Sequence, residues 1–275
     1  MKNFIEIDQL KKDSNCILID VTLGKGNSSG YERYLKGHLP GAFYMDMEKD
    51  LSGAVTDQSG NHPLPDCQIF QAKLQAMGAK QDDCFIIYDG GEGQASARLW
   101  FLLKYFGIDQ VKIIQAGRLA IEAAGVAYTQ DLPAEVEAGT IQLKPNEDLL
   151  VDFQRVKAYS EEPGAHQVLM DSRSYERYLG LEEPLYDRAG HIPHAQSYYY
   201  GLVYDEKGKL KSQAELEAHF KALKDKEVMV SCGSGVTACS NLLALDEIGI
   251  SGKLYPGSYS QWLKKKQKIV KGNDQ

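Results

Sequence analysis

The segment "EVMVSCGSGVTACSNLL" breaks an apolar run, Val228 to Val230, with a cysteine and then with the small residues Gly233, Ser234 and Gly235. A core strand has no use for two glycines at its end, whereas a reactive sulfur that backbone must approach closely does. If Cys232 ends a parallel strand and a helix opens shortly after it, the sulfur lies where open α/β sheets bind ligands. The small residues let the loop curl so that its N–H groups face the sulfur. Such a nest and a helix N-terminus both stabilise negative charge, which favours the thiolate, a nucleophile that needs no adjacent base.

The competing reading of a lone cysteine is a small buried hydrophobe. Two observations weigh against it for Cys232. A second stretch, "YDGGEGQASA", puts Asp89 at the matching place, so a strand end is being filled, and the residues after Cys232 include the glycines a cradle requires. Cys16, Cys67, Cys84 and Cys239 read as core thiols. Ala238 argues against a cysteine phosphatase, whose loop uses an arginine six residues after the nucleophile to hold a dianion.

The elements that would position this loop come from a repeat. "YERYL" occurs at Tyr31–Leu35 and again at Tyr175–Leu179, each time after a strand-like run ending in aspartate, Asp20 or Asp171. A Gly-His-apolar-Pro turn follows each copy, "GHLPGA" from Gly37 and "GHIPHA" from Gly190. Downstream, Phe70, Leu74 and Met77 share a helical face opened by Asp66 and closed by Gly78. Leu216, Phe220 and Leu223 do the same behind the capping box Ser212–Glu215. Buried strands "CFIIYD" and "EVMVSC" come next, then glycine loops and helices ended by Gly107 and Gly249, then the short strands "VKIIQAG" and "GKLYPG". Strand–helix alternation of this kind predicts a mainly parallel sheet with helices on both faces, built twice. The expected division is 1–128 for the first α/β domain, a polar, proline-containing linker over 129–148, and 149–275 for the second.

The 275 residues carry 43% hydrophobic and 25% charged residues, an ordinary globular composition, and a net charge of −7, which disfavours nucleic acid and anionic membranes as partners. The lysines 264, 265, 266 and 268 read as a solvated face. No segment has the length of a signal peptide core or a membrane span, which predicts a cytoplasmic protein. Five scattered cysteines argue against a disulfide framework, and six histidines form no ligand cluster, so neither metal nor cofactor is expected.

Together the cysteine loop, the doubled domain and the paired turns resemble the two-domain rhodanese family of sulfurtransferases over nearly the whole chain. "CGSGVTA" is similar to the loop of the 3-mercaptopyruvate branch, whereas thiosulfate-preferring members carry basic residues directly after the cysteine. "LYPGSYSQW" resembles the family's closing signature. The resemblance implies that Cys232 takes sulfur from a small-molecule donor, mercaptopyruvate or thiosulfate, and passes it as a persulfide to cyanide, a thiol or thioredoxin. Asp89 marks the first domain as the inactive copy.

The same resemblance assigns Arg177 to the donor's carboxylate and Gly233, Gly235, Val236 and Thr237 to the donor-binding loop. Ser234 would relay a proton to the departing group with His38 as its histidine partner, and no aspartate completing that relay is identified. Arg188, in the insertion "GLEEPLYDRAG", is a second candidate for the carboxylate, although in the family the second arginine follows the proline of the "EP" pair directly. His194 stands where the family has glycine. The alternative is a non-catalytic rhodanese-like interaction or regulatory module; retention of Cys232 and its glycines favours the enzyme.

Overall fold

The computed structural model describes residues 1–10 and 16–273. Its contacts divide the chain into two units, Met1–Gly53 with Leu64–Asn146 and Asp205–Leu210, and Ala54–Pro63 with Glu147–Tyr204 and Lys211–Gln275. Two short segments thus cross the boundaries drawn from sequence. Ala54–Pro63 packs with the second unit and Asp205–Leu210 with the first.

The first unit runs β1 (Phe4–Ile5), β2 (Ile17–Asp20), α1 (Gly30–Lys36), β3 (Phe43–Tyr44), α2 (Cys67–Ala76), β4 (Phe85–Tyr88), α3 (Gln94–Tyr105), β5 (Val111–Ile114) and α4 (Gly117–Ala123). Its strands lie in the order β1-β5-β4-β2-β3, every neighbouring pair parallel. All four residues of β4 are buried, as a strand covered on both faces must be. The second unit runs α5 (Phe153–Glu161), β6 (Gln167–Asp171), α6 (Tyr175–Leu179), β7 (Gln196–Ser197), α7 (Gln213–His219), β8 (Glu227–Ser231), α8 (Ala238–Glu247), β9 (Gly252–Leu254) and α9 (Ser258–Lys264). Its order is β7-β6-β8-β9, again parallel throughout. The doubled α/β architecture is the one the strand–helix alternation predicts.

Local signals set the helix ends. Asp66 accepts from the N–H groups of Gln68 and Ile69, and Ser212 and Glu215 form their capping box. Phe70, Leu74, Leu216, Phe220 and Leu223 are all buried, which seats both helices on their sheets. Residues 129–146 form no helix or long strand, yet they are tied to the first unit: Gly139 N–H donates to Gln75 O at 2.7 Å and Ile141 N–H to Ala79 O at 3.0 Å.

The repeated Tyr-Leu…Gly-His motif is a clasp. Tyr34 stacks on His38 with ring centroids 3.8 Å apart, and Tyr178 stacks on His191 at the same distance. Each tyrosine hydroxyl donates to the alanine carbonyl that ends the turn, Ala42 at 2.8 Å and Ala195 at 2.9 Å. In the first turn Gly41 takes φ +78°; its counterpart in the second is His194, at φ +63°. That left-handed backbone is why glycine suits the position, and a side chain there is strained.

One expectation from the cysteines is corrected. Cys16 and Cys84 are not separate core thiols but are joined by a disulfide, with Cα atoms 4.5 Å apart. They precede β2 and β4, which pair with Ile17 opposite Phe85, so the parallel register brings the two sulfurs side by side. Sequence separation hid a neighbour relation that only strand pairing creates.

Two predictions follow from packing. His194→Gly should raise the unfolding free energy by about 1 kcal/mol, measured by urea titration, by relieving the left-handed strain. His219 is wedged edge-on against Tyr198 and Phe220, with its Nε2 buried and without a hydrogen-bond partner among the described residues. Burial first, and the charge of Lys211 second, push its pKa below the ordinary imidazole value. The folded chain therefore binds fewer protons than the unfolded one just below pH ~6.5. Stability should fall as pH drops through that range, and His219→Phe should remove that part of the slope.

Candidate active site

Cys232 directly follows β8, whose register with β6 sets Ser231 opposite Asp171. The cysteine is 2% exposed. Gly235 N–H points at its sulfur at 3.0 Å, the inward-facing amide that the small residues were expected to permit. Gly235 needs to be glycine twice over: φ is +88°, and a Cβ there would lie 2.6 Å from Pro256 O. Val236 and Thr237 make the turn into α8, their carbonyls accepting from Cys239 N–H and Ser240 N–H.

The loop is braced from α9. Ser258, fully buried at φ +49°, accepts from Cys232 N–H at 3.1 Å and donates to Tyr255 O at 2.9 Å; its Oγ lies 4.0 Å from the Cys232 sulfur. Tyr259 N–H and Ser260 N–H donate to Cys232 O and Gly233 O. In the first unit Arg118 N–H donates to Asp89 O in the same way, and the residue before Arg118 is Gly117, at φ +46°. Ser258 thus occupies a glycine-like conformation and its hydroxyl makes three contacts that glycine could not.

The first unit shows what the cradle attracts. The Asp89 carboxylate accepts from Gly91 N–H at 2.9 Å and Ser96 N–H at 3.1 Å. A carboxyl group sits where Cys232 sits in the other copy, and both of its oxygens accept from loop or helix amides.

Arg177 lies over the cradle: a Cβ built on Gly233 would be 3.5 Å from its Nη2. Its Nε and Nη2 donate to Glu183, at 2.7 Å for the shortest contact. Glu183 also accepts from Arg173, which is buried, bonded to Asp171 and stacked over the Tyr259 ring. Asp171, Arg173, Glu183 and Arg177 form a continuous chain of ion pairs from the end of β6 to the loop. Such a chain holds its last member in place because breaking any link leaves a buried charge uncompensated.

Two assignments change. His38 does not serve Ser234: its Nδ1 and Nε2 contact Tyr34 O and Asp131 O within the first unit, as part of the clasp that His191 duplicates. The imidazole at Ser234 belongs to His62, whose Nδ1 is 2.7 Å from Ser234 Oγ. It is carried by the Ala54–Pro63 strap, which α9 secures through Ser260 Oγ accepting from Asn61 N–H and Gln261 Nε2 donating to Gln58 O. Arg188 is also displaced. It is exposed, and both its Nη atoms donate to Gln267 O at 3.2 Å, so it makes no hydrogen bond to Glu183 or to the loop. Tyr186 takes the nearer place, its hydroxyl 3.1 Å from the Cβ position of Gly233. The available signal for His62 was the long Gly- and Pro-containing loop between β3 and α2, since structureless loops beyond about 12–15 residues are usually functional.

No group of three or more His, Cys, Asp or Glu among the described residues could hold a metal ion. No helix among them is long and apolar enough to cross a membrane. A sulfur nucleophile, a guanidinium beside it and a hydroxyl–imidazole pair suit transfer of a sulfur atom from an anionic donor with protonation of what leaves.

Comparison with known proteins agrees with this chemistry. The rhodanese-like domain model matches residues 5–124 and 152–265. The chain is 37% identical over 254 residues to a Pseudomonas aeruginosa protein named "Probable 3-mercaptopyruvate sulfurtransferase", covering 90% of this chain and 88% of that one. It is 33% identical over 247 residues to the 3-mercaptopyruvate sulfurtransferase of Escherichia coli K12, covering 87% and 85%. The crystal structure of SseA from Escherichia coli superposes with a TM-score of 0.82 at 30% identity, over 94% of this chain and 100% of that one.

The Gly235→Ala variant should lose more than about 1–3 kcal/mol of stability in urea titration, because a strained φ and a backbone clash are imposed together. Gly249→Ala, at φ +76° with open space around it, isolates the strain alone and should cost less.

Proposed function

The chain belongs to the rhodanese family, and we propose from that premise that it carries sulfur on Cys232 with 3-mercaptopyruvate as its preferred donor. It is a sulfurtransferase, which excludes the non-catalytic module as its main role. The observation that carries the site assignment is the Gly235 amide aimed at the sulfur of a strand-end cysteine.

The Cys232 thiolate attacks the donor sulfur. The carbon–sulfur bond of mercaptopyruvate breaks, its electron pair passing to carbon as the enolate of pyruvate, and Cys232 becomes a persulfide. Ser234, hydrogen-bonded to His62, is the proton source for that enolate. The Arg177 Nη1 edge, not used by Glu183, binds the donor carboxylate. Gly233, Gly235, Val236 and Thr237 line the loop that receives the donor. A nucleophilic acceptor, a small thiol or reduced thioredoxin in the cytoplasm or cyanide in the assay, then removes the outer sulfur and restores the thiolate. Thiosulfate would leave as sulfite and needs no carbon protonated.

Incubation with donor should add the mass of one sulfur atom to the intact chain, cyanide should remove it, and Cys232→Ser should show neither adduct nor turnover. Steady-state assays should give a higher kcat/KM for mercaptopyruvate than for thiosulfate. Ser234→Ala and His62→Ala should each lower kcat for mercaptopyruvate by about 10²-fold, the lower end for a lost general acid, while thiosulfate turnover changes far less. Equal losses with both donors would remove the proton-relay role, and an adduct persisting in Cys232→Ser would remove the nucleophile assignment.

A further inference from the structure

We propose that Tyr186 is a substrate-binding residue whose hydroxyl, beside Arg177, donates the second hydrogen bond to the carboxylate of a monoanionic 2-oxo acid donor. The inference deepens the mercaptopyruvate reading and rests on it. Nothing in the mechanism above uses this side chain, and the insertion that carries it was expected to supply an arginine instead.

Three observations support it. Apart from its chain neighbours, the polar side-chain atoms closest to the Gly233 Cβ position are the Tyr186 hydroxyl and Arg177 Nη2, at 3.1 and 3.5 Å, so the phenol and the guanidinium converge on one edge of the loop. Nη2 is held by Glu183, which leaves Nη1 and the phenol for a ligand. The hydroxyl itself makes no hydrogen bond among the described residues, while the ring beneath it is fixed. That ring packs edge-on against Tyr259 with centroids 5.8 Å apart, and Arg177 lies over its face at 5.7 Å. A half-buried phenol held rigidly, with a hydroxyl that no described group engages, leaves one donor available to a ligand that enters the loop. Finally, burial first and the Cys232 sulfur second push its pKa up to about 12, so it stays a donor rather than an anion throughout the neutral range.

The charge balance specifies the ligand class. Asp171 and Glu183 offset Arg173 and Arg177, and Tyr186 adds a donor without adding charge. Two directional donors and no surplus cation fit one carboxylate with a neutral remainder. A dianion would call for a second guanidinium to hydrogen-bond it, and both Arg188 Nη atoms are turned to Gln267 O instead.

Binding of pyruvate, the product 2-oxo acid, to the full chain by titration calorimetry tests this without turnover. Tyr186→Phe keeps the ring and removes only the hydroxyl. Its Kd for pyruvate should rise about tenfold, the smaller end for a hydrogen bond to a charged group. In assays its KM for mercaptopyruvate should rise similarly with kcat within twofold. Discharge of the preformed Cys232 persulfide by cyanide, which involves no carboxylate, should be unchanged. An unaltered pyruvate Kd, a wild-type chain that does not bind pyruvate, or an equal slowing of cyanide discharge would each overturn the assignment. Failure of donor to add sulfur at Cys232 would instead sink the sulfur-carrier reading and leave the calorimetric comparison intact.

Discussion

The pairing of β6 with β8 is the constraint on which the site depends. Five residue pairs in parallel register, ending with Asp171 opposite Ser231, bring two strand ends to one level. Asp171 then anchors Arg173, Arg173 and Arg177 share Glu183, and Arg177 lies over the loop that begins at Cys232. A slip of one residue would exchange the two buried faces of β8 and move Ser231 and Cys232 out of level with Asp171, unseating every member of that chain at once. The Cys232 sulfur is therefore placed by backbone hydrogen bonds, and the ion pairs transmit that placement to Arg177, the side chain proposed to bind the donor.

The two units use one scaffold for different ends. Both have the Tyr-on-His clasp, both end the central strand with a group that accepts loop amides, and both tie that residue's carbonyl to the start of the last helix. In the first unit the acceptor is a carboxylate whose two oxygens are satisfied by Gly91 and Ser96. In the second it is a sulfur, and the additional side chains (Ser258, Arg177, Tyr186 and His62) gather around it alone. The duplicated contacts are those that make the fold, and the unduplicated ones are those on which the proposed chemistry rests.

Much of the fold was legible because its signals are local. Repeated motifs, caps at Asp66 and Ser212 and the small residues after Cys232 each act within a few residues of themselves. The misreadings concern contacts that no local pattern encodes. His38 lies in a conspicuous motif and was assigned a chemical role, yet the motif repeats because it builds the clasp. His62 has no motif and is brought to Ser234 by a strap held on α9. Arg188 had the expected residue type, but its chain position sends it to Gln267, and Tyr186, two residues earlier, is the side chain that reaches the loop. The Cys16–Cys84 bond likewise depends on strand register.

The self-cancelling set of charges around Glu183 bears on how a donor arrives. A surplus of cations would project an attractive field beyond the mouth of the site, whereas two acids and two arginines in contact project little. The chain as a whole carries a charge of −7, so on the proposed reading an approaching anion gains no long-range attraction from the net charge and is held on touching the donors themselves. Added salt, which slows capture where opposite charges steer the encounter, would here screen the repulsion and leave capture unhindered or faster. Selection at such a site takes place at contact range, by geometry, after diffusion has finished.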